Sequence, residues 1–386
     1  MKMQTTDNQE SQPLDPLVGI KAKTGPYLGA RSWSDKMPGR RRVLGTRPRE
    51  HCYHVMSRTC GGAVFFDDVE KEALMRLLWK MSEFCGLRLL TYCVMGNHFH
   101  ALVEVPVRGE WLKQFEGPRG EKRLFERLSQ LYSRAFLDEL RAEVAELRKD
   151  KRERAAEERL AEFTRRLCDL SIFVKEVKER FSRWFNKRHE RKGTLWMDRF
   201  KSVLVEGGRK DDAPDALRTM AAYIDLNPVR AKVVDDPAKY RWSGYGEASG
   251  GSRRAKRSLC AVVGVGVDAW EKRGAAAYRM WLYADGGEIT DRQQPGKVIR
   301  PGVKTSERRK VLDQHGKMSR AQMIRMRVRY FTDGAVIGSK RYLEDVFKAQ
   351  RKQFSPKRKS GSRAIRALAD NEPLYALRDL QVRAVT

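Results

Sequence analysis

Between Glu121 and Lys192 the chain has neither glycine nor proline, and Leu, Glu, Lys and Arg dominate the stretch. With no breaker, and with residues that keep most of their side-chain freedom in a helix, this block predicts long helices. Any architecture has to set that helical mass beside whatever the flanking sequence makes. Its most charged part, Glu143 to Arg166, has the pattern of solvated helical faces, and a helical hairpin projecting from a sheet fits it.

The flanks are β-prone. After Cys52, the run His54-Val55-Met56-Ser57 predicts a strand, and Asp67-Asp68-Val69 opens an amphipathic helix that runs to Phe84. Gly86 punctuates, Leu87 to Met95 reads as a second strand, Gly96-Asn97 as a turn, and His98 to Val105 as a third strand paired with the second. Gly193 closes the helical block, and Lys201 to Glu206 is a short apolar strand. Asp211 to about Leu226 is a further helix, which Pro228 stops. Strand, helix, hairpin, strand and helix imply an α/β sandwich whose antiparallel sheet is covered by helices on one face.

Three regions follow. Residues 1–48, rich in Gly, Pro and Ser and carrying Arg40-Arg41-Arg42, read as a flexible basic N-terminal arm. Residues 49–250 form the main domain, with the helical insertion at about 121–192. Residues 251–386 open with a basic linker after Gly250-Gly251 and hold helical patterns at Ser319 to Arg329 and Lys340 to Gln350, around Asp333-Gly334 and Gly338. For this C-terminal helical module a helix-turn-helix-like DNA reader and a structural cap with a basic tail both stand open.

Seventy-nine Lys and Arg against fifty Asp and Glu give a formal charge of +29. Such a surplus concentrates polyanions, and nucleic acid is the commonest, because neutralising its phosphates releases counterions. This argues for binding and is silent on catalysis. No apolar stretch approaches a membrane span, and the polar start Met1-Lys2-Met3-Gln4 lacks a signal-peptide core, so the expectation is a soluble cytoplasmic protein without a membrane partner. The six cysteines make no close CxxC pair, so neither a zinc knuckle nor a dense disulfide framework is indicated, and ordinary reduced cysteines are the better reading.

Chemistry concentrates in two places. His98 and His100 stand two apart on a strand, so both imidazoles project from one face and can reach one divalent cation while Phe99 points away. Two surface histidines would give the same pattern. Tyr223 and Asn227 stand four apart near a helix end and share a face, which also suits a tyrosine merely packing that helix on the sheet.

Several ordered motifs then coincide: His54-Val55-Met56-Ser57-Arg58, Tyr92 through His100, Gly193-Thr194-Leu195-Trp196 with Arg199-Phe200-Lys201-Ser202, and Tyr223 through Val229. In these segments, spanning roughly Cys52 to Tyr245, the chain resembles the REP-associated tyrosine transposases within the superfamily of single-tyrosine HUH transposases. The resemblance implies a ferredoxin-like or RRM-like sheet, the HUH endonuclease fold, acting on single-stranded or hairpin DNA. It implies that His98 and His100 hold Mg²⁺ or Mn²⁺ with Asn227 completing the coordination. It also implies that Tyr223 is the nucleophile, forming a 5′-phosphotyrosine and freeing a 3′-hydroxyl for later strand transfer.

Asp225, Asp198 and Glu206 rank below Asn227 as metal ligands, and Tyr53, Tyr92 and Tyr132 fall outside the family's tyrosine position. Arg199 and Lys201, and Arg183, Lys187 and Arg188 in an aromatic and basic helical run, are weaker DNA-contact candidates. Trp196 is more often a core residue in such a setting. Two rivals remain at this stage: a regulator that binds DNA or RNA without cutting, and a phosphodiesterase using metal-activated water. Monomer and homodimer are both open.

Overall fold

The computed structural model describes residues 50–207, 216–234, 237–270, 335–364 and 374–377, together with Gly45 and isolated positions between 274 and 300. The basic arm, apart from Gly45, and the helical pattern at Ser319 to Arg329 lie outside the described residues.

Strand β1 (His51–Arg58) leads through a short 3-10 turn to α1 (Asp68–Cys85). Asp67 starts that helix with a reciprocal cap. Its carboxylate accepts from the Val69 and Glu70 amides, and Glu70 accepts from the Asp67 amide at 3.3 Å. Gly86, at φ 70°, ends it in the left-handed conformation. Strands β2 (Arg88–Val94) and β3 (His98–Val105) form the expected hairpin.

A short helix α2 (Arg108–Leu112) follows, then α3 (Gly117–Leu128), which starts ahead of the helical block and runs into it, and the block continues as α4 (Arg134–Lys149), α5 (Glu153–Thr164) and α6 (Leu170–Arg188). Helices α4 and α5 make a hairpin over buried Leu140, Val144, Ala156 and Phe163, and Arg159 bridges to Glu143 at 2.9 Å. Next come β4 (Lys201–Val205), α7 (Ala216–Asp225), α8 (Asn227–Arg230), α9 (Gly244–Ser249) and α10 (Arg253–Val263). A separate two-stranded sheet pairs β5 (Ile289–Thr290) with β6 (Val298–Arg300), and the remaining strands are β7 (Val336–Gly338), β8 (Arg363–Ala364) and β9 (Tyr375–Ala376).

The main sheet has seven strands in the order β2-β3-β1-β4-β7-β9-β8. All its pairings are antiparallel except the parallel pair of β4 with β7. One face carries Val55, Tyr92, Phe99, Ala101 and Val103 into a core with Leu74 and Leu78 of α1 and Phe173, Val177 and Phe181 of α6. The other carries Cys52, Cys93, Leu102, Val203 and Val205 into a second core with Met220 and Ile224 of α7 and Leu259 and Val263 of α10.

Helices therefore cover both faces, where the sequence reading placed them on one. The reason is visible in β2, buried from Leu89 through Val94. A strand enclosed on both sides is a continuous apolar run and carries no alternation to mark a solvent face. Nor is the basic segment after Gly250-Gly251 a linker throughout: Arg253 and Lys256 lie on the outer side of α10, while Ala255, Leu259 and Cys260 are buried.

The Val336-Ile337-Gly338 segment, expected at a turn between helices, instead extends the sheet along β4. The Leu204 amide donates to Ala335 and the Glu206 amide to Ile337 at 2.8 and 3.0 Å. A helix does follow at Lys340–Ala349, capped by Ser339, and Ser339 Oγ donates to the Glu206 carboxylate at 3.0 Å.

Candidate active site

The β-pleat sets up the site. His100 is buried and His98 half-buried on one face of β3, while Phe99 enters the opposite core, its ring 5.6 Å from that of Trp196. In register, Met56 faces His100, Arg58 faces His98, and Lys201 faces Met56 from β4. Residues directly opposite in an antiparallel pair share a face, so His54, Met56, Arg58 and Lys201 all lie on the histidine side.

The hydrogen bonds around His98 define its ring. The Asn97 amide nitrogen donates to the Gly62 carbonyl at 2.8 Å, which turns its Oδ1 toward His98 Nδ1, 2.6 Å away. An amide oxygen only accepts, so Nδ1 carries the proton, and in the neutral ring the lone pair is on Nε2. His100 Nδ1 lies 2.8 Å from His54 Nε2, the two rings stacked with centroids 5.0 Å apart. Burial pushes the His100 pKa well below its usual value, and the neighbouring His54, His98, Arg230 and Arg58 act in the same direction. Neutral imidazole is the form that binds metals.

Helix α7 delivers the tyrosine. Tyr223 is 4% exposed, and its ring meets both the His54 and His100 rings nearly edge-on at 5.9 Å. The chain breaks at Leu226, and Pro228 sits in the first turn of α8, where its missing N–H costs least. Arg230 then folds back. Its guanidinium lies 4.1 Å from the Tyr223 ring centroid and its Nη2 donates to the Tyr223 carbonyl at 2.6 Å. Asn227 is buried on the same corner, and its amide nitrogen has no hydrogen-bond partner.

Thus the His100 ring lies against both His98, at 5.0 Å, and Tyr223, at 5.9 Å. Asn227 lies one helical turn beyond the tyrosine; His54 and Asn97, which the sequence marked only as members of motifs, and Arg230, which it did not mark, join them. Period-two alternation puts His54 and Met56 on one face of β1, but only the pairing of β1 with β3 makes that the face of His100.

The lower-ranked acids are engaged elsewhere. Asp225 accepts from Thr91, Tyr278 and the Tyr245 amide, Glu206 caps the helix at Lys340, and Asp198 is exposed. Tyr53, Tyr92 and Tyr132 pack in the opposite core, as does Trp196. Helix α6 covers that opposite face too, so Arg183, Lys187 and Arg188 do not reach the histidines, and Arg188 pairs with buried Glu70 at 3.1 Å.

Among the described residues no three His, Cys, Asp or Glu side chains are placed to hold one ion. A cation here would rest on two imidazoles and on water or substrate oxygens; the Asn227 atom left without a partner is its amide nitrogen, a donor, so Asn227 could join only through Oδ1. Two neutral imidazoles with open coordination positions suit a divalent ion, Mn²⁺ better than Mg²⁺, which prefers oxygen alone.

No protein-family model and no curated protein matches this chain. A solved structure of a REP-associated tyrosine transposase bound to a REP hairpin is similar at 13% identity and a TM-score of 0.32, over 55% of this chain and 84% of that one. At that distance the likeness carries no argument, and the functional reading rests on the geometry above. No helix among the described residues is long and apolar enough to cross a membrane.

Proposed function

We propose that the chain is a single-tyrosine DNA strand transferase of the transposase type, cutting single-stranded or hairpin DNA through a phosphotyrosine at Tyr223. The observation that carries this reading is the tyrosine ring set against His100, with Arg230 on the ring, at a corner of an otherwise apolar core. The connectivity β1-α1-β2-β3-α6-β4, with strand order β2-β3-β1-β4, agrees with the ferredoxin-like sheet of the HUH proteins.

In this reading His98, His100 and Asn227 hold Mg²⁺ or Mn²⁺. When bound, the ion supplies charge neutralisation at the phosphoryl oxygens and the departing 3′ oxygen. The Tyr223 oxygen bonds to phosphorus, the P–O3′ bond breaks, and the 3′ oxygen takes up a proton while the phenolic proton is lost to solvent. Arg230 and the imidazoles hold the ring during attack. The tyrosyl ester conserves the energy of the broken bond, so a 3′-hydroxyl can displace the tyrosine and rejoin strands without ATP.

The test is a Mn²⁺-dependent covalent adduct with labelled hairpin DNA on a denaturing gel, abolished by chelation. Absence of any adduct over a broad panel of single-stranded hairpins overturns the proposal.

The register also supports a path for the DNA in this reading. Arg58 and Lys201 flank the histidine face, so the strand crosses β1 and β4 there and not α6. Arg58→Ala with Lys201→Ala lowers the slope of log affinity against log salt by about 1.4, at ~0.7 per single-strand phosphate contact. The Arg183→Ala, Lys187→Ala pair leaves the slope unchanged. Filter binding between roughly 50 and 200 mM salt measures both.

A further inference from the structure

We propose that His54 is the positioning residue that leaves the Nε2 lone pair of His100 open for a ligand, by accepting the hydrogen bond that joins the two rings. The inference rests on the reading of His98 and His100 as metal ligands and adds to it the residue that prepares one of them.

Only one proton can lie between His54 Nε2 and His100 Nδ1, 2.8 Å apart. If it belongs to His54, then His100 accepts at Nδ1, and a neutral His100 carries its own proton on Nε2 with no lone pair left to offer. If it belongs to His100, Nδ1 donates and Nε2 is open. The two arrangements differ by a proton position alone, and the tautomer of His54 selects between them: an unprotonated His54 Nε2 accepts and gives the second.

His98 shows the second arrangement independently. Its Nδ1 donates to Asn97 Oδ1, and the bond from the Asn97 amide nitrogen to Gly62 excludes the flipped amide. With His54 as acceptor, both imidazoles present Nε2, one held by an amide oxygen and the other by an imidazole nitrogen. His54 cannot be a ligand through its own Nε2, which is spent on His100.

Nor is His54 free to leave. It is 1% exposed, stacked on His100 with an 18° interplanar angle, and its other side meets the Tyr223 ring. A bond between two buried, stacked rings is made before any ion arrives, so the ligand nitrogen is pre-selected.

Mn²⁺ titration followed by electron paramagnetic resonance tests this on the full chain. Losing an outer partner of a ligating histidine weakens metal binding by 10–100-fold, and that is the expectation for His54→Leu. His54→Gln, which retains an acceptor, stays within about threefold of the native chain on the same reasoning. Ring ¹⁵N shifts of the metal-free chain, with His100→Asn used for assignment, report the Nδ1–H form of His100 in the native protein and the Nε2–H form in His54→Leu.

Unchanged Mn²⁺ affinity in a folded His54→Leu overturns the inference. So does an Nε2–H His100 in the native chain, which decides the matter even if His54→Leu does not fold. His98→Ala separates the two levels. If it binds Mn²⁺ as the native chain does, the metal-site reading itself falls; if it loses Mn²⁺ while His54→Leu keeps it, only the role of His54 falls.

Discussion

Tyr223→Phe forms no covalent adduct with DNA and nicks it at least about 10³-fold more slowly than the native chain, the scale of losing a nucleophile that nothing replaces. The substitution removes one oxygen and leaves the ring. The edge contacts to His54 and His100, the Arg230 guanidinium over the ring and the bond from Arg230 to the backbone carbonyl are all retained. Folding, Mn²⁺ binding and hairpin binding therefore persist, and the loss is confined to chemistry. The measurement is a denaturing gel of labelled hairpin DNA with Mn²⁺, run beside a binding assay on the same preparations. Equal cleavage by both proteins without an adduct means that activated water performs the reaction. Binding by both with no cleavage by either means a DNA-binding regulator.

Asp225→Asn stabilises the protein relative to the native chain as pH rises, because Asp225 has no solvent exposure. Its carboxyl accepts from Thr91 Oγ1 at 2.9 Å, Tyr278 Oη at 2.6 Å and the Tyr245 amide at 3.0 Å. Burial pushes its pKa up from 3.8 to about 6, against the opposing pull of those hydrogen bonds.

A folded pKa above the unfolded one means that the stabilising contribution is complete below the unfolded value, 3.8, and is lost as pH rises through about 6. By pH 7 the integrated loss is on the order of 3 kcal/mol. Asparagine keeps the shape, and the two hydroxyls can rotate to suit an amide, but it cannot ionise. The gap in urea midpoints between Asp225→Asn and native should therefore open between about pH 4 and pH 7. A gap that stays flat across that window rules out the buried-carboxylate account. Comparing the two chains removes the histidines from the result, since both carry all six.

The order of elements came from short-range signals. The Asp67 cap and Gly86 bracket α1, the Gly96-Asn97 turn defines the β2–β3 hairpin, and the unbroken run from Glu121 holds most of α3 and all of α4 through α6, while α3 itself begins at Gly117, within the Gly-Pro break. Pro228 ends α7 within a few residues of where its geometry requires. Each of these depends on one residue type within a turn or two of its effect, which is why one sequence suffices to read it.

What one sequence by itself determined is therefore local: which stretches are helix or strand, and that His98 and His100 point the same way with Phe99 opposed, because side chains alternate along any strand. Strand order, register and the packing of α7 on the histidine face were decided by tertiary structure. Those contacts join residues far apart in the chain, such as Met56 with His100 and Thr91 with Asp225, and each depends on every other element being in place. That is why His54 and Arg230, ordinary residues in a strand and after a helix, became part of the site only when β1 paired with β3 and the chain turned back at Asn227. It is also why the second covering layer of helices, and the extension of the sheet by Val336–Gly338, had no signature in the local pattern.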